Sequence, residues 1–110
     1  MARLLMARFD VYRNPGRNRD TIPYLLEVQS NVISGLASRL VIPLRTLHGF
    51  DALSLPTDLF PLIEFDSIEH FLDTPQMAAI PAAELKTRIG TLQSRQADIQ
   101  TALDRVFGAY

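Results

Sequence analysis

Two histidines, a cluster of carboxylates, six serines and an arginine-rich loop are the residues in this chain of 110 whose types could do chemistry. His48 and His70 each lack a metal-spaced partner, such as a second histidine four residues away, so both read as structural or surface residues. Glu64, Asp66 and Glu69 crowd a turn. Paired carboxylates do general acid–base work only when their surroundings push their pKa values apart, and a hydrophilic turn accounts for these three without that. Serines 30, 34, 38, 54, 67 and 94 lie outside any nucleophile-elbow pattern. The sequence has no phosphate-cradling glycine loop and no dinucleotide fingerprint. It also has no cysteine, and hence no thiolate, disulfide or cysteine zinc site. The residues therefore assemble no catalytic set and ask for no cofactor and no metal.

Binding chemistry is better represented. Residues 1–50 hold seven arginines against three acids, whereas residues 51–110 hold four basic and nine acidic side chains, so one half is basic and the other acidic. Ten of the eleven basic residues are arginine, which favours planar, bidentate recognition over a diffuse lysine coat. Arg13, Arg17 and Arg19 flank a Pro15-Gly16 turn in the polar stretch Asn14–Asp20, which is either a solvated loop or a recognition loop for an acidic peptide. At the other end, Phe107-Gly108-Ala109-Tyr110 sets two aromatics beyond a helix, where they either pack and fray or form a protruding anchor.

The elements that must carry these residues follow from periodicity. Tyr24–Ser30 and Arg39–Leu44 alternate with period two, predicting two half-buried strands. Tyr24, Leu26 and Val28 would share one face, and Glu27 and Gln29 the other. The connector Asn31–Ser38 is long for a hairpin and carries apolar Val32 and Ile33. Further strands are expected at Arg8–Arg13, at Pro61–Phe65 and last at Met77–Pro81, the prolines marking an edge. Between them, Asp66-Ser67 is either a turn into a returning strand Ile68–Leu72 or the cap of a helical turn. Residues 45–61 read as irregular. From Thr91 to Phe107, Leu92, Ile99, Ala102, Leu103 and Val106 keep helical spacing, with Thr91 as N-cap and Gly108 as the stop. Strands followed by one helix predict a mainly β, curled antiparallel sheet with a C-terminal α-helix, in a single domain spanning 1–110. Residues 1–7 read as a flexible extension, and Met6 opens a second Met-Ala-Arg that offers an alternative start. Met1–Phe9 is too short for a signal-peptide core and no apolar run could span a bilayer, so a soluble cytoplasmic protein is expected.

Several of these pieces together resemble the CcdB family of toxins, from type II toxin–antitoxin pairs. They are Phe9-Asp10-Val11-Tyr12, Glu27-Val28-Gln29-Ser30, Arg39–Leu44, Met77–Pro81, and Asp98-Ile99 leading into a helix that ends the protein. The resemblance implies an SH3-like curled sheet, as in MazF-type toxins, and a two-fold homodimer. It further implies binding to the A subunit of DNA gyrase, trapping the cleaved-DNA complex without the toxin itself making or breaking a bond. By the same resemblance, gyrase contact falls on Val32, Ile33, Asp104, Phe107, Gly108, Ala109 and Tyr110. Gly108, Ala109 and Tyr110 stand where the family typically has Trp-Gly-Ile, and Asp104 stands at an asparagine-type contact. A disordered acidic CcdA-like antitoxin would touch Arg13, Arg17, Arg19, Gln93, Gln96, Gln100 and Asp104. No direct nucleic-acid contact outside a toxin–antitoxin operator complex is implied, and no membrane partner. Two alternatives accompany this reading: a MazF- or Kid-like endoribonuclease, with the loop arginines holding phosphate, and a degenerate homologue that binds antitoxin and poisons nothing.

Overall fold

The two alternating stretches at the centre of the sequence form the middle of the sheet. In the computed structural model, which describes residues 7–30, 36–51 and 54–108, they are β2 (Tyr24–Glu27) and β3 (Ser38–Thr46). The pair is antiparallel, with Leu26 opposite Ile42 and Glu27 opposite Val41. The arch positions Val32 and Ile33 lie outside the described residues. Around this pair are β1 (Asp10–Arg13), β4 (Leu62–Phe65), β5 (Ile68–Leu72), β6 (Ala78–Pro81), β7 (Arg88–Thr91) and the helix α1 (Gln96–Phe107). The sheet runs β4-β5-β3-β2-β1-β7, with β6 also paired to β3. All its pairings are antiparallel, and the result is the curled antiparallel sheet with a C-terminal helix that periodicity predicts.

β3 can be long because it serves two partners in turn on its outer side. Ser38–Val41 pairs with β6 and Leu44–Thr46 with β5. Pro43, which has no N–H to give, falls at the gap between them, and its carbonyl accepts from Asp73 N at 3.0 Å. A proline inside a central strand is thus accommodated where no ladder bond is due. The β4–β5 hairpin closes through Asp66 and Ser67 with φ of 54° and 62°, the doubly left-handed pair of a type I′ turn whose twist matches the strands.

Both faces of the central strands are covered. On one, Phe9, Val11, Tyr24, Leu26, Val28, Ile42, Leu44, Ile63 and Leu72 pack with Leu92, Ile99 and Leu103. Arg95 fastens this helical end by donating to the Leu62 carbonyl at 3.0 Å, and Arg105 by pairing with Asp58 at 2.8 Å. On the other face a second core joins Tyr12, Ile22, Leu25, Val41 and Leu85, with Ile80 packed against it. Glu27, Gln29 and Arg39 are buried there, a departure from the half-buried strands of the sequence reading. The segment after β1 supplies Ile22, and the β6 region supplies Ile80 and Leu85, so a second lid covers what alternation marks as the polar side. Glu27 and Arg39 pair within it through one carboxylate oxygen, Nη2 to Oε1 at 2.5 Å and Nε to Oε1 at 3.2 Å.

Several boundaries differ from the sequence reading: β2 ends at Glu27, short of Ser30, and β3 extends through Arg45 and Thr46, which read as irregular, because they pair with β5. β1 starts at Asp10, because Phe9 turns with φ of 73° before the strand begins. A further strand, β7, follows Pro81 and pairs with β1. Gly90 reads as a breaker in sequence, yet it sits in this strand, where an added Cβ would meet the Phe65 ring at 3.0 Å, so close approach explains the glycine. The helix proper begins at Gln96 after a 3-10 turn over Gln93–Arg95. Thr91 is therefore not the N-cap of α1, whose N-cap position is Arg95; its Oγ1 instead accepts from Gln93 N at 3.1 Å at the start of the 3-10 turn. Gly108 ends α1 in the left-handed conformation, donating to the Asp104 carbonyl.

His70 is buried on β5, edge-on to Tyr24 with ring centroids 5.5 Å apart, and its Nδ1 lacks a hydrogen-bond partner among the described residues. Burial pushes its pKa below the usual imidazole value, against the opposing pull of neighbouring backbone groups and Asp66. The unfolded chain therefore takes this proton more readily than the folded one. Stability from neutral His70 is full above the ordinary histidine range and is lost as pH falls through it. Chemical denaturation of wild type and His70→Phe at pH 7.5 and 5.5 should show a smaller acid-induced loss in the variant. Equal losses would remove His70 from the acid response.

Candidate functional site

The amphipathic spacing that docks α1 on the sheet leaves one outer face for contact. Gln93 Nε2 donates to Gln96 Oε1 at 2.8 Å, and Gln100 Nε2 to Asp104 Oδ1 at 3.0 Å, so the four residues form a polar stripe of two hydrogen-bonded pairs. Arg8 adds a bond from its Nη2 to Gln100 Oε1 at 3.2 Å. The stripe ends at Phe107, whose ring is 69% exposed, beside Val106 at 37%. A large aromatic left in water at the end of a helix is the kind of side chain that anchors interfaces. Gly108 follows directly, while Ala109 and Tyr110 lie outside the described residues. Of the residues singled out in sequence, the fold places Gln96, Gln100, Asp104 and Phe107 on α1, with Gln93 in the 3-10 turn that leads into it and Gly108 as its C-cap.

Arg13, Arg17 and Arg19 belong to a different place, at the far end of β1, and all three are exposed. Their loop is tied internally by one buried side chain. Asn14 Nδ2 donates to Asn18 Oδ1 at 2.9 Å and to the Ile22 carbonyl at 2.7 Å, while its Oδ1 accepts from Gly16 N at 2.9 Å. Arg13 and Arg19 line a cavity of about 340 Å³ with Asn14, Pro15, Glu84, Lys86 and Thr87. Arg17 is not among its lining residues. Lys86 and Glu84, which the sequence reading passes over, reach this cavity because Arg13 N bonds the Thr87 carbonyl at 2.9 Å as β1 meets β7. Only that cross-strand register could have announced them.

Residues 8–108 match the family described as CcdB protein. The chain belongs to the CcdB family. It is therefore related to the toxins of toxin–antitoxin systems, as the resemblance in Phe9–Tyr12, Glu27–Ser30 and Arg39–Leu44 implies. Among solved structures it is similar to an endoribonuclease in complex with its cognate antitoxin, from Mycobacterial species. The TM-score is 0.74 at 16% identity, over 96% of this chain and 97% of that one. At that identity the similarity speaks for a shared fold. Among the described residues of this CcdB-family chain, no group of three or more His, Cys, Asp or Glu side chains is placed to hold a metal ion, and no helix is long and apolar enough to cross a membrane.

Proposed function

We propose that this CcdB-family protein is a cytoplasmic, homodimeric toxin that binds the DNA gyrase A subunit and traps the cleaved-DNA complex. A CcdA-like antitoxin neutralises it. The observation that carries the proposal is the exposed aromatic end of α1, where Phe107 and Val106 stand clear of the core beside the left-handed Gly108. Asp104 leads into that end, and Val32, Ile33, Ala109 and Tyr110 complete the gyrase-facing set by family resemblance. The toxin breaks no bond itself. It acts by entering between the A subunits while the DNA is cleaved and open, and stabilising that broken state.

The antitoxin part rests on the Gln93–Gln96–Gln100–Asp104 stripe and on the basic loop with Arg13, Arg17 and Arg19. Asp104 belongs to both partner sets, so a chain lying along the stripe would cover the approach to Phe107. Neutralisation then follows from exclusion. Dimerisation is supported by apolar surface that a monomer leaves wet, Leu36 at 56% and Leu40 at 40% exposure, with Leu40 paired to exposed Ala79. An isologous pair would match a two-fold target.

One observation favours a second reading, RNA cleavage: Glu84 shares its cavity with Arg13, Arg19 and Lys86, a carboxylate among phosphate-holding cations. Inducing the chain in a bacterial host without antitoxin separates the two. Gyrase poisoning predicts arrested growth with double-strand chromosome breaks, relieved by the co-expressed antitoxin. Arrest with intact chromosomes and cleaved RNA would favour the nuclease, and unimpeded growth a homologue that poisons nothing.

A further inference from the structure

The basic cavity at the end of β1 does not stand alone. A second cavity of about 180 Å³ shares Asn14, Pro15 and Glu84 with it and is otherwise largely aliphatic, lined by Ile22, Leu25, Val41, Pro43, Ala78 and Ile80 among others. These apolar residues belong to the sheet face turned away from α1, since Tyr24, Leu26 and Ile42, the alternate residues, pack with the helix. The loop over both cavities is held in shape by the Asn14 bonds, so the concavity is formed before anything enters it. Arg13, Arg19 and Lys86 have no ion-pair partner among the described residues. Three unpaired cations against the single carboxylate of Glu84 leave the first cavity with positive charge to be matched.

We infer that the two adjoining cavities form a peptide-binding site taking a carboxylate side chain between Arg13, Arg19 and Lys86 and an aliphatic side chain in the slot beside Ile22, Val41 and Ile80. The inference rests on the antitoxin reading above and deepens it, naming where an acidic partner segment is anchored. Arginine presents its donors as a planar fork suited to a carboxylate. The neighbouring slot decides between peptide and nucleic acid. Single-stranded RNA is held by stacking its bases on aromatic or guanidinium planes and by hydrogen bonds to base edges. The slot has no aromatic side chain and its walls are chiefly aliphatic, the surface that a leucine or isoleucine fills. Because this face of the sheet lies opposite α1, a partner engaging both this site and the glutamine stripe must pass around the edge of the sheet, which an extended, initially disordered segment can do.

The test is a nuclear magnetic resonance titration of the full-length, isotope-labelled protein. The probes are blocked peptides in which one glutamate and one leucine stand one to three residues apart. Saturable amide shifts are expected at Asn14, Leu25, Val41, Ile80 and Thr87, fading when the peptide glutamate becomes glutamine or its leucine becomes serine. Lys86→Glu should weaken binding about tenfold or more, the size of a lost charge-assisted contact turned repulsive. Lys86→Met repeats the measurement should charge reversal disturb the fold, and Ala78→Leu should weaken binding by filling the slot. Shifts confined to other residues, no shifts with any peptide, or binding unaffected by the Lys86 change would overturn the site. So would a single-stranded RNA oligonucleotide shifting these residues where no peptide does. The co-expressed antitoxin separates this inference from the reading beneath it. A wild-type complex as tight with Lys86→Glu overturns the cavity site and leaves the antitoxin reading intact, whereas no complex with wild type overturns that reading.

Discussion

Arg39→Ala should destabilise the folded chain by about 3–5 kcal/mol, because it strips the partner from a carboxylate that has no access to water. Arg39 and Glu27 are both fully buried, and Glu27 Oε1 takes both of the guanidinium's contacts with the carboxylate. Glu27 Oε2 has no hydrogen-bond partner among the described residues, so the carboxylate is only partly compensated as it stands. Burial raises the Glu27 pKa and the Arg39 guanidinium pulls it back, the balance expected of a desolvated acid beside a cation. For a chain of this size the loss corresponds to a fall in thermal midpoint of roughly 12–20 °C. Glu27→Leu with Arg39→Met should recover most of it, since packed apolar side chains replace a buried ion pair at little cost or with gain. Calorimetry of wild type, single and double variants checks both statements. A single variant within a few degrees of wild type would mean that water reaches Glu27, and a double variant as poor as the single one would mean that the pair does more than neutralise itself.

Phe107→Ala should do the opposite, sparing the fold and removing the activity. The ring is more than two-thirds exposed at 69%, so its loss should shift stability by no more than about 0.5 kcal/mol. As an interface anchor it is expected to contribute at least about 2 kcal/mol, a loss of affinity for the gyrase A subunit of roughly thirtyfold or more. Binding measured by calorimetry or surface plasmon resonance, beside a melting curve, gives both numbers. Unchanged affinity would remove Phe107 from the interface. A collapsed melting curve would reassign it to the core or to a dimer contact. Tyr110→Ala is expected to behave in the same way.

These two sites show what the sequence discloses and what it hides. The outer face of α1 was legible because helical spacing places Ile99, Ala102 and Leu103 inward, whereas the spacing left open whether Phe107 packs or protrudes. The central strands were legible from alternation, and the Asp66-Ser67 turn only in part, because the same polar residues suit a helix cap and the β4–β5 pairing decides between them. The burial of Glu27 and Arg39 was hidden, because alternation tells which side chains share a face and not what lies over it. Their cover comes from Ile22 on one side in sequence and from Ile80 and Leu85 on the other. β7 was hidden for a local reason: Arg88-Ile89-Gly90-Thr91 lacks alternation, and its glycine is there for Phe65. The basic cavity was half visible. Arg13 and Arg19 announce a loop, but Lys86 joins them only through the β1–β7 register.

The measurement that bears most directly on gyrase poisoning uses purified, folded protein with gyrase, ATP and supercoiled plasmid, followed by denaturation of the enzyme. Linear plasmid that accumulates with protein concentration, and that disappears on prior addition of the antitoxin, is the predicted result. Plasmid supercoiled normally and never linearised, from protein that still binds its antitoxin, would contradict gyrase poisoning by this chain.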